Sequence, residues 1–311
     1  AEDTVLAARS RYSRYERIRM LLRDANIAAL LVDQGYPPRD QLLPDGDVAA
    51  LGGCRTFPML RLEPLMERLI LAHTTLAEVE EALRMALADV RGQGYVALKS
   101  IAAYRTGLDI RQWDRADAEM AFSEARRIVG ETGTLRLAQQ PLLDTLLHIA
   151  FTEAARQELP IQFHAGYGDT DADMLLANPL HLRAVLERRD YRGMRVVLLH
   201  ECYPYTREGA YLAAVYEHVY LDLSYAIPFL GSGEMVAFTR AALGVAPYSK
   251  LMYSSDAVGL PELLWMSAHD GRRALGQVLG EIVDAGDLSA SLAQTAGVAI
   301  LHDNAMRVYG L

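Results

Sequence analysis

Three runs in this sequence end in side chains that can hold a metal or move a proton: Leu159-Pro-Ile-Gln-Phe-His164, Arg195-Val-Val-Leu-Leu-His200 and Lys250-Leu-Met-Tyr-Ser-Ser-Asp256. Each follows an apolar, strand-like stretch. Neutral imidazole is a good zinc ligand. A carboxylate at the end of a buried strand is costly unless it meets a cation, accepts hydrogen bonds or takes up a proton. In a parallel barrel, groups at the C-terminal ends of strands far apart in sequence converge on one pocket, so the trio suggests a metal-dependent barrel enzyme. The plain alternatives are a structural His164, a His200 satisfied by a backbone carbonyl, and an Asp256 that caps the helix beginning near Leu260.

Other groups stand beside them. Lys99 ends Tyr95-Val-Ala-Leu-Lys, where it could bind an anionic substrate group or carry a carbamate bridging two metals. Just beyond it Tyr104-Arg105, and further on Arg207, offer a guanidinium suited to two-pronged carboxylate recognition, with surface salt bridges as the alternative for either arginine. Cys202 has no second cysteine nearby, which argues against a zinc–thiolate cluster. His73, His148, His181, His218, His269 and His302 fall on predicted helices or their edges, where solvated or capping roles are expected.

The elements that must position these groups alternate. The spacing predicts a helix over Thr4 to Arg23 and strands over Ile27 to Val32, Thr56 to Leu62 and Gly94 to Lys99, with a helix over Leu76 to Val90 between the last two. Helices over Asp117 to Val129 and Leu142 to Gln157 precede the strand before His164. Helices near Leu180 to Arg189, Ala210 to Tyr216 and Glu234 to Leu243 then alternate with strands ending at His200, Ser224 and Asp256, and helices fill the sequence from Pro261 on. Strands separated by long helices imply parallel pairing through right-handed crossovers. An open doubly wound sheet would present a Gly-rich phosphate loop, and none occurs. The expected fold is α/β, a (β/α)8 TIM barrel of which only seven strands are legible and the first is missing.

With 51% hydrophobic and 23% charged residues the 311 residues read as one globular domain without linkers. The net charge of -9 argues against nucleic acid and anionic membranes as partners, leaving a small-molecule substrate. Two cysteines do not make a disulfide framework and suit a reducing cytoplasm. Oligomeric state, including a homo-oligomer, is left open.

The runs Pro160 to Asp171, Val197 to Glu208 and Tyr253-Ser-Ser-Asp256, with the closing Asn304-Ala-Met-Arg-Val-Tyr309, resemble the amidohydrolase superfamily. More narrowly, they resemble the amidohydrolase-2 type of metal-dependent hydrolase, in the branch found beside or fused to glutamine-synthetase-like domains. The resemblance runs from Ile27 onward. It implies a divalent ion, often zinc, held by a His-x-His pair on strand one, a His on strand five and an Asp on strand eight. On that pattern His164 is the strand-five ligand, and Asp256 is the strand-eight ligand and general base. His200 is the strand-six His that binds a second ion or orients the water and the substrate carbonyl. Lys99 takes the strand-four place, where binuclear members carry a carboxylated lysine.

No His-x-His occurs in the 311 residues. The absent pair, the absent strand and the start at Ala1 rather than Met lead to the expectation of an N-terminally incomplete domain, 1–311, that binds metal weakly as it stands. The expected activity is hydrolysis of a C–N bond, an amide or γ-glutamyl-like linkage, in a small carboxylate-bearing substrate. A metal-dependent decarboxylase and a non-catalytic barrel partnering a glutamine-synthetase-like protein are the other readings.

Overall fold

A computed structural model describes residues 2–36, 43–227 and 229–311. Ala1, ahead of which the missing strand is expected, lies outside the described residues. Seven strands form one parallel sheet in sequence order: β1 Ala29–Asp33, β2 Arg55–Arg61, β3 Ala97–Ser100, β4 Pro160–Phe163, β5 Arg195–Leu198, β6 Val219–Ser224 and β7 Leu251–Ser254. Every pairing is to the next strand along, as right-handed βαβ units require.

Alternation along the strands sorts the side chains into two cores. Leu98, Ile161, Phe163, Val196, Leu198, Leu221, Leu223 and Leu251 face outward into the large core beneath the helices. Met59, Ala97, Val197, Leu199, Tyr220 and Met252 form a separate inner cluster, closed by Val308 and Tyr309. Tyr309 is brought there by the helix Asn304–Tyr309, and its hydroxyl accepts a bond of 2.7 Å from Gln162 Nε2 inside the ring. Asn304 fixes that helix by donating to the carbonyls of Tyr248 and Leu251, each at 2.8 Å. The closing motif read from the sequence is thus a plug for the floor of the barrel.

Among the described residues no ladder joins β7 to β1. The two edges are linked instead through the outer layer, where the helix Arg14–Asp24 packs on the helix Pro261–Asp284. Asp24 Oδ2 accepts from Trp265 Nε1 at 2.6 Å and lies 3.2 Å from His269 Nε2, while Arg272 donates to the Ala25 carbonyl. The opening between β7 and β1 falls where a first strand is missing from the expected barrel.

Three helical expectations are corrected. The predicted Thr4 to Arg23 helix is two helices, Glu2–Arg9 and Arg14–Asp24, because Ser13 and Glu16 form a capping box that starts a new one. The helix near Leu180 to Arg189 is a chain of short turns, Pro179–Leu182, Arg183–Leu186 and Arg189–Tyr191. A helix over Leu62–Ala72 was hidden by Pro64, which suits a first turn whose N–H groups have no intrahelical partner.

Two tests of this architecture follow. Tyr309→Phe leaves buried Gln162 Nε2 without its partner and is expected to lower stability by about 1–3 kcal/mol in urea unfolding. Unchanged stability would show that the floor does not depend on this bond. Asp144, buried on the helix Gln140–Arg156, accepts from Arg111 N and Trp113 Nε1, yet burial pushes its carboxyl up to about 6. A raised carboxyl favours the folded state most below its ordinary value of 3.8, and that contribution is lost as pH rises through about 6. Asp144→Asn is therefore expected to raise the melting temperature at pH 7.5 relative to pH 4.5, compared with the parent. An unaltered pH profile would refute it.

Candidate active site

The inward face that carries the inner core at the floor of the barrel carries polar groups at its C-terminal mouth. His164 follows the last residue of β4, and its main-chain N–H donates to Ser100 O at 3.1 Å, continuing the ladder by one step. Gln162 and His164 share the inner face, while Phe163 packs outward on Phe151. The His164 ring centroid lies 4.6 Å from that of His200 and 4.5 Å from that of Tyr104. Its Nε2 lies 2.5 Å from the Tyr167 carbonyl oxygen. His200 Nδ1 is 3.5 Å from Asp256 Oδ2, which also accepts from the Tyr167 hydroxyl at 3.3 Å. The three strand-end residues named from the sequence meet at one mouth.

His200 is held by backbone strain and by the strand beside it. His200, Glu201 and Cys202 all have positive φ, at 61°, 41° and 53°, a conformation costing roughly 1–2 kcal/mol per non-glycine residue. Two β6-side bonds offset it. Asp222 Oδ1 accepts the His200 main-chain N–H at 2.7 Å, and Ser224 N donates to Glu201 Oε2 at 2.8 Å. Ser224 Oγ then bridges His200 Nδ1 and Asp222 Oδ1, 3.2 Å from each, and meets Ser254 Oγ at 2.7 Å. With Ser224 donating to Asp222, the His200 proton sits on Nδ1 and the Nε2 lone pair is left free.

Burial sets the charges. It depresses His200 to about 3, with the nearby Lys99 adding to the effect, and holds His164 well below its usual range, so both rings are neutral at pH 7. Asp256 is raised by burial, with Lys99 and His164 pulling the other way. Burial likewise pushes Asp222 up to about 7 and Glu201 well above the carboxylate range. The Cys202 thiol is driven up by the same cause, and it packs in the outer core rather than at the mouth.

The remaining sequence candidates are distributed unequally. Lys99 faces inward on β3, its Nζ 3.0 Å from Asp33 Oδ2. Tyr104 lies against His164 with the ring planes tilted by 50°, and its hydroxyl accepts from Asp169 N at 3.2 Å. Arg105 is nearly buried and pairs with Glu67 at 3.5 Å, with its Nε lacking a hydrogen-bond partner among the described residues. Arg207 is exposed on the first turn of the helix Thr206–Val215, and the structure does not bring it into the cluster. The other six histidines lie away from the mouth; His148, for one, sits between Tyr191 and the Arg111 carbonyl.

Asp33, Arg61, Tyr167, Asp222 and Ser224 were missed. A polar residue at every second place of an otherwise apolar run, as in Tyr220-Leu-Asp222-Leu-Ser224, is the signal that could have found the β6 pair.

Two neutral imidazoles and a carboxylate are donors of the right kind for a divalent ion. Among the described residues no three metal-capable side chains converge as a closed shell, and His200 with Asp256 is the pair at bridging distance. The donors fit such an ion in kind and form part of a site.

A parallel, inward-lined α/β barrel with its ionisable groups gathered at the C-terminal mouth defines a barrel enzyme class. The amidohydrolase family profile matches residues 112–311, and the chain belongs to that family, in its amidohydrolase-2 type. It is 34% identical over 223 residues to Protein fluG of Emericella nidulans, covering 70% of this chain and 26% of that protein. The chain thus spans about a quarter of the length of the curated relative it matches. Among solved structures it is similar to a protein of Lactobacillus casei ATCC 334 assigned as a metal-dependent hydrolase, at TM-score 0.87 and 31% identity over 94% of this chain and 76% of that one. The uronate isomerase of Thermotoga maritima shares the fold at TM-score 0.68 and 16% identity, covering 94% and 69% of the two chains.

Proposed function

We propose that this chain is a metal-dependent hydrolase of a C–N bond, an amide or γ-glutamyl-like linkage, in a small carboxylate-bearing substrate. The observation that carries this reading is the approach of Asp256 to the neutral His200 at 3.5 Å, beside His164 and within the field of Lys99. His164, His200 and Asp256 would hold a divalent ion, zinc by their donor types. When bound, such an ion acidifies water and polarises a carbonyl.

The chain's own groups do the rest. Asp256, kept from full hydration and raised in basicity, accepts the proton of the attacking water and returns it to the leaving nitrogen. His200, with its ring fixed through Ser224 and its main chain through Asp222, presents a constant face to the reacting carbonyl. Tyr167 orients the Asp256 carboxylate, and Tyr104 walls the pocket against His164. Lys99 and Tyr104 at the mouth, with the nearly buried Arg105, are the residues assigned to the substrate; Arg207, exposed outside the cluster, is not.

The test is product release from γ-glutamyl and other ω-amide substrates by protein dialysed against zinc. Ammonia or amine release that chelation abolishes is the expected result. Carbon dioxide release from carboxylated substrates would replace this reading with the decarboxylase. Less than stoichiometric metal after reconstitution, with neither product formed, would leave the non-catalytic barrel.

A further inference from the structure

Asp33, Arg61 and Lys99 stand at the ends of three adjacent strands and face the same mouth. Arg61 and Lys99 are register partners across β2 and β3, and Asp33 lies opposite Met59 across β1 and β2. One carboxylate serves two cations. Arg61 Nε lies 3.2 and 3.0 Å from the two Asp33 oxygens, Arg61 Nη2 also donates to Oδ2, and Lys99 Nζ is 3.0 Å from Oδ2. The Gly35 main-chain N–H adds a bond of 2.9 Å to Oδ1. The Asp33 carboxylate therefore has both of its oxygens engaged and a fixed orientation.

The side chains of the triad are only 14%, 13% and 12% exposed for Arg61, Asp33 and Lys99. Buried charges cost several kcal/mol each in lost hydration, roughly, unless paired. Two cations on one anion leave an excess of positive charge at this corner. Arg61 turns its Nε and Nη2 onto Asp33, and the Lys99 ammonium spends one contact there and finds no other hydrogen-bond acceptor among the described residues. Lys99 is the register partner of Gln162, two residues before His164 on the same inner face, which sets it on the His164 side of the mouth. Asp256 lies four strands away round the ring and faces His200 Nδ1 and the Tyr167 hydroxyl.

We propose that Lys99, aimed by Asp33 and braced through Asp33 by Arg61, is the anion-binding corner of the mouth, and that the ligand group it takes is a carboxylate. Arg61 and Asp33 are positioning residues; Lys99 makes the contact. The same ion pair requires the ammonium form of Lys99, since a carbamate on Nζ would set two anions side by side. Of the two roles open to Lys99 from the sequence, the triad supports anion binding. Gly35 packs the assembly from above, where an added Cβ would come within 2.6 Å of Arg61 Cδ. The inference rests on the hydrolase reading for calling the ligand a substrate and for taking its anionic group as a carboxylate.

Binding of glutarate, compared with the uncharged glutaramide, tests it by titration calorimetry on both chelator-treated and zinc-loaded protein. Parent protein is expected to prefer glutarate by at least about tenfold, more strongly at low salt. Lys99→Met should abolish the preference, and Arg61→Gln should weaken it severalfold by freeing Asp33. Arg127→Gln, on the outer surface, should change nothing. Equal glutarate affinity in a Lys99→Met protein that melts as the parent does would overturn the proposal, as would no preference in the parent. Should Lys99→Met fail to fold, Lys99→Gln and the salt dependence of the parent decide the same point. Glutarate binding that follows Lys99 without any amide cleavage would sink the hydrolase reading and leave this corner standing; cleavage of neutral amides without glutarate binding would do the reverse.

Discussion

Asp256→Asn is expected to lower kcat for amide cleavage by about 10²- to 10⁴-fold, the usual contribution of a positioned general base. The fold should not suffer. The carboxylate is raised by burial, so replacing it by a neutral isostere removes a desolvation cost while keeping the acceptor for Tyr167. The melting temperature should therefore hold or rise. Metal affinity should fall as well, because one donor of the His164, His200 and Asp256 set loses its charge. Comparing rates at saturating zinc separates the two losses. A rate within tenfold of the parent at full metal occupancy would remove Asp256 from the chemistry and, with it, the assignment of the mouth.

Gly166→Ala should unfold or loosen the same mouth. Gly166 has φ 73°, and a Cβ there would lie 2.4 Å from the Cys202 carbonyl carbon and oxygen and from the Tyr203 oxygen. All three are main-chain atoms, so no side chain can swing aside. The left-handed conformation alone costs about 1–2 kcal/mol, and the clash adds to it; a loss of at least about 3 kcal/mol is expected in urea unfolding. The bond from Gly166 N to Ala177 O at 2.8 Å fastens the loop after β4 on itself, while that from Tyr167 N to Tyr203 O at 2.6 Å ties it to the loop after β5. Separating them moves His164 and His200 apart, so activity should fall even where the protein stays folded. Gly233→Ala, where a Cβ meets nothing within 4 Å, is the control. If the two variants lose equal stability, the loops are not interlocked at Gly166.

All seven strands and the mouth trio were readable from the sequence because each signal is local. An apolar run of four to six residues ending in His or Asp states both a buried strand and the place where it stops being buried. The partners were not readable. Asp222 holds His200 from another strand, and Asp33 meets Arg61 across one ladder and Lys99 across two, contacts that exist only once register is fixed. The left-handed run at His200, Glu201 and Cys202 had no glycine to announce it. Its sign is the buried Glu201, an acid with no reason to be inside except to brace a turn. Pro64 misled for the opposite reason: a residue that ends most helices sits here in the first turn, where it does no harm.

The seam between the helices Arg14–Asp24 and Pro261–Asp284 also dictates an order of events. Asp24 meets Trp265 and His269 across 241 and 245 positions of sequence, so these contacts close a loop of most of the chain. Neighbouring strands, each joined to the next, can assemble progressively before it. Loop-closure entropy and topology make such distant pairings slow to form. The strands are thus free to curl as an open trough first, and the mouth acquires its final curvature only when Asp24 captures Trp265. Folding followed by the fluorescence of that indole should lag behind folding followed by backbone signals.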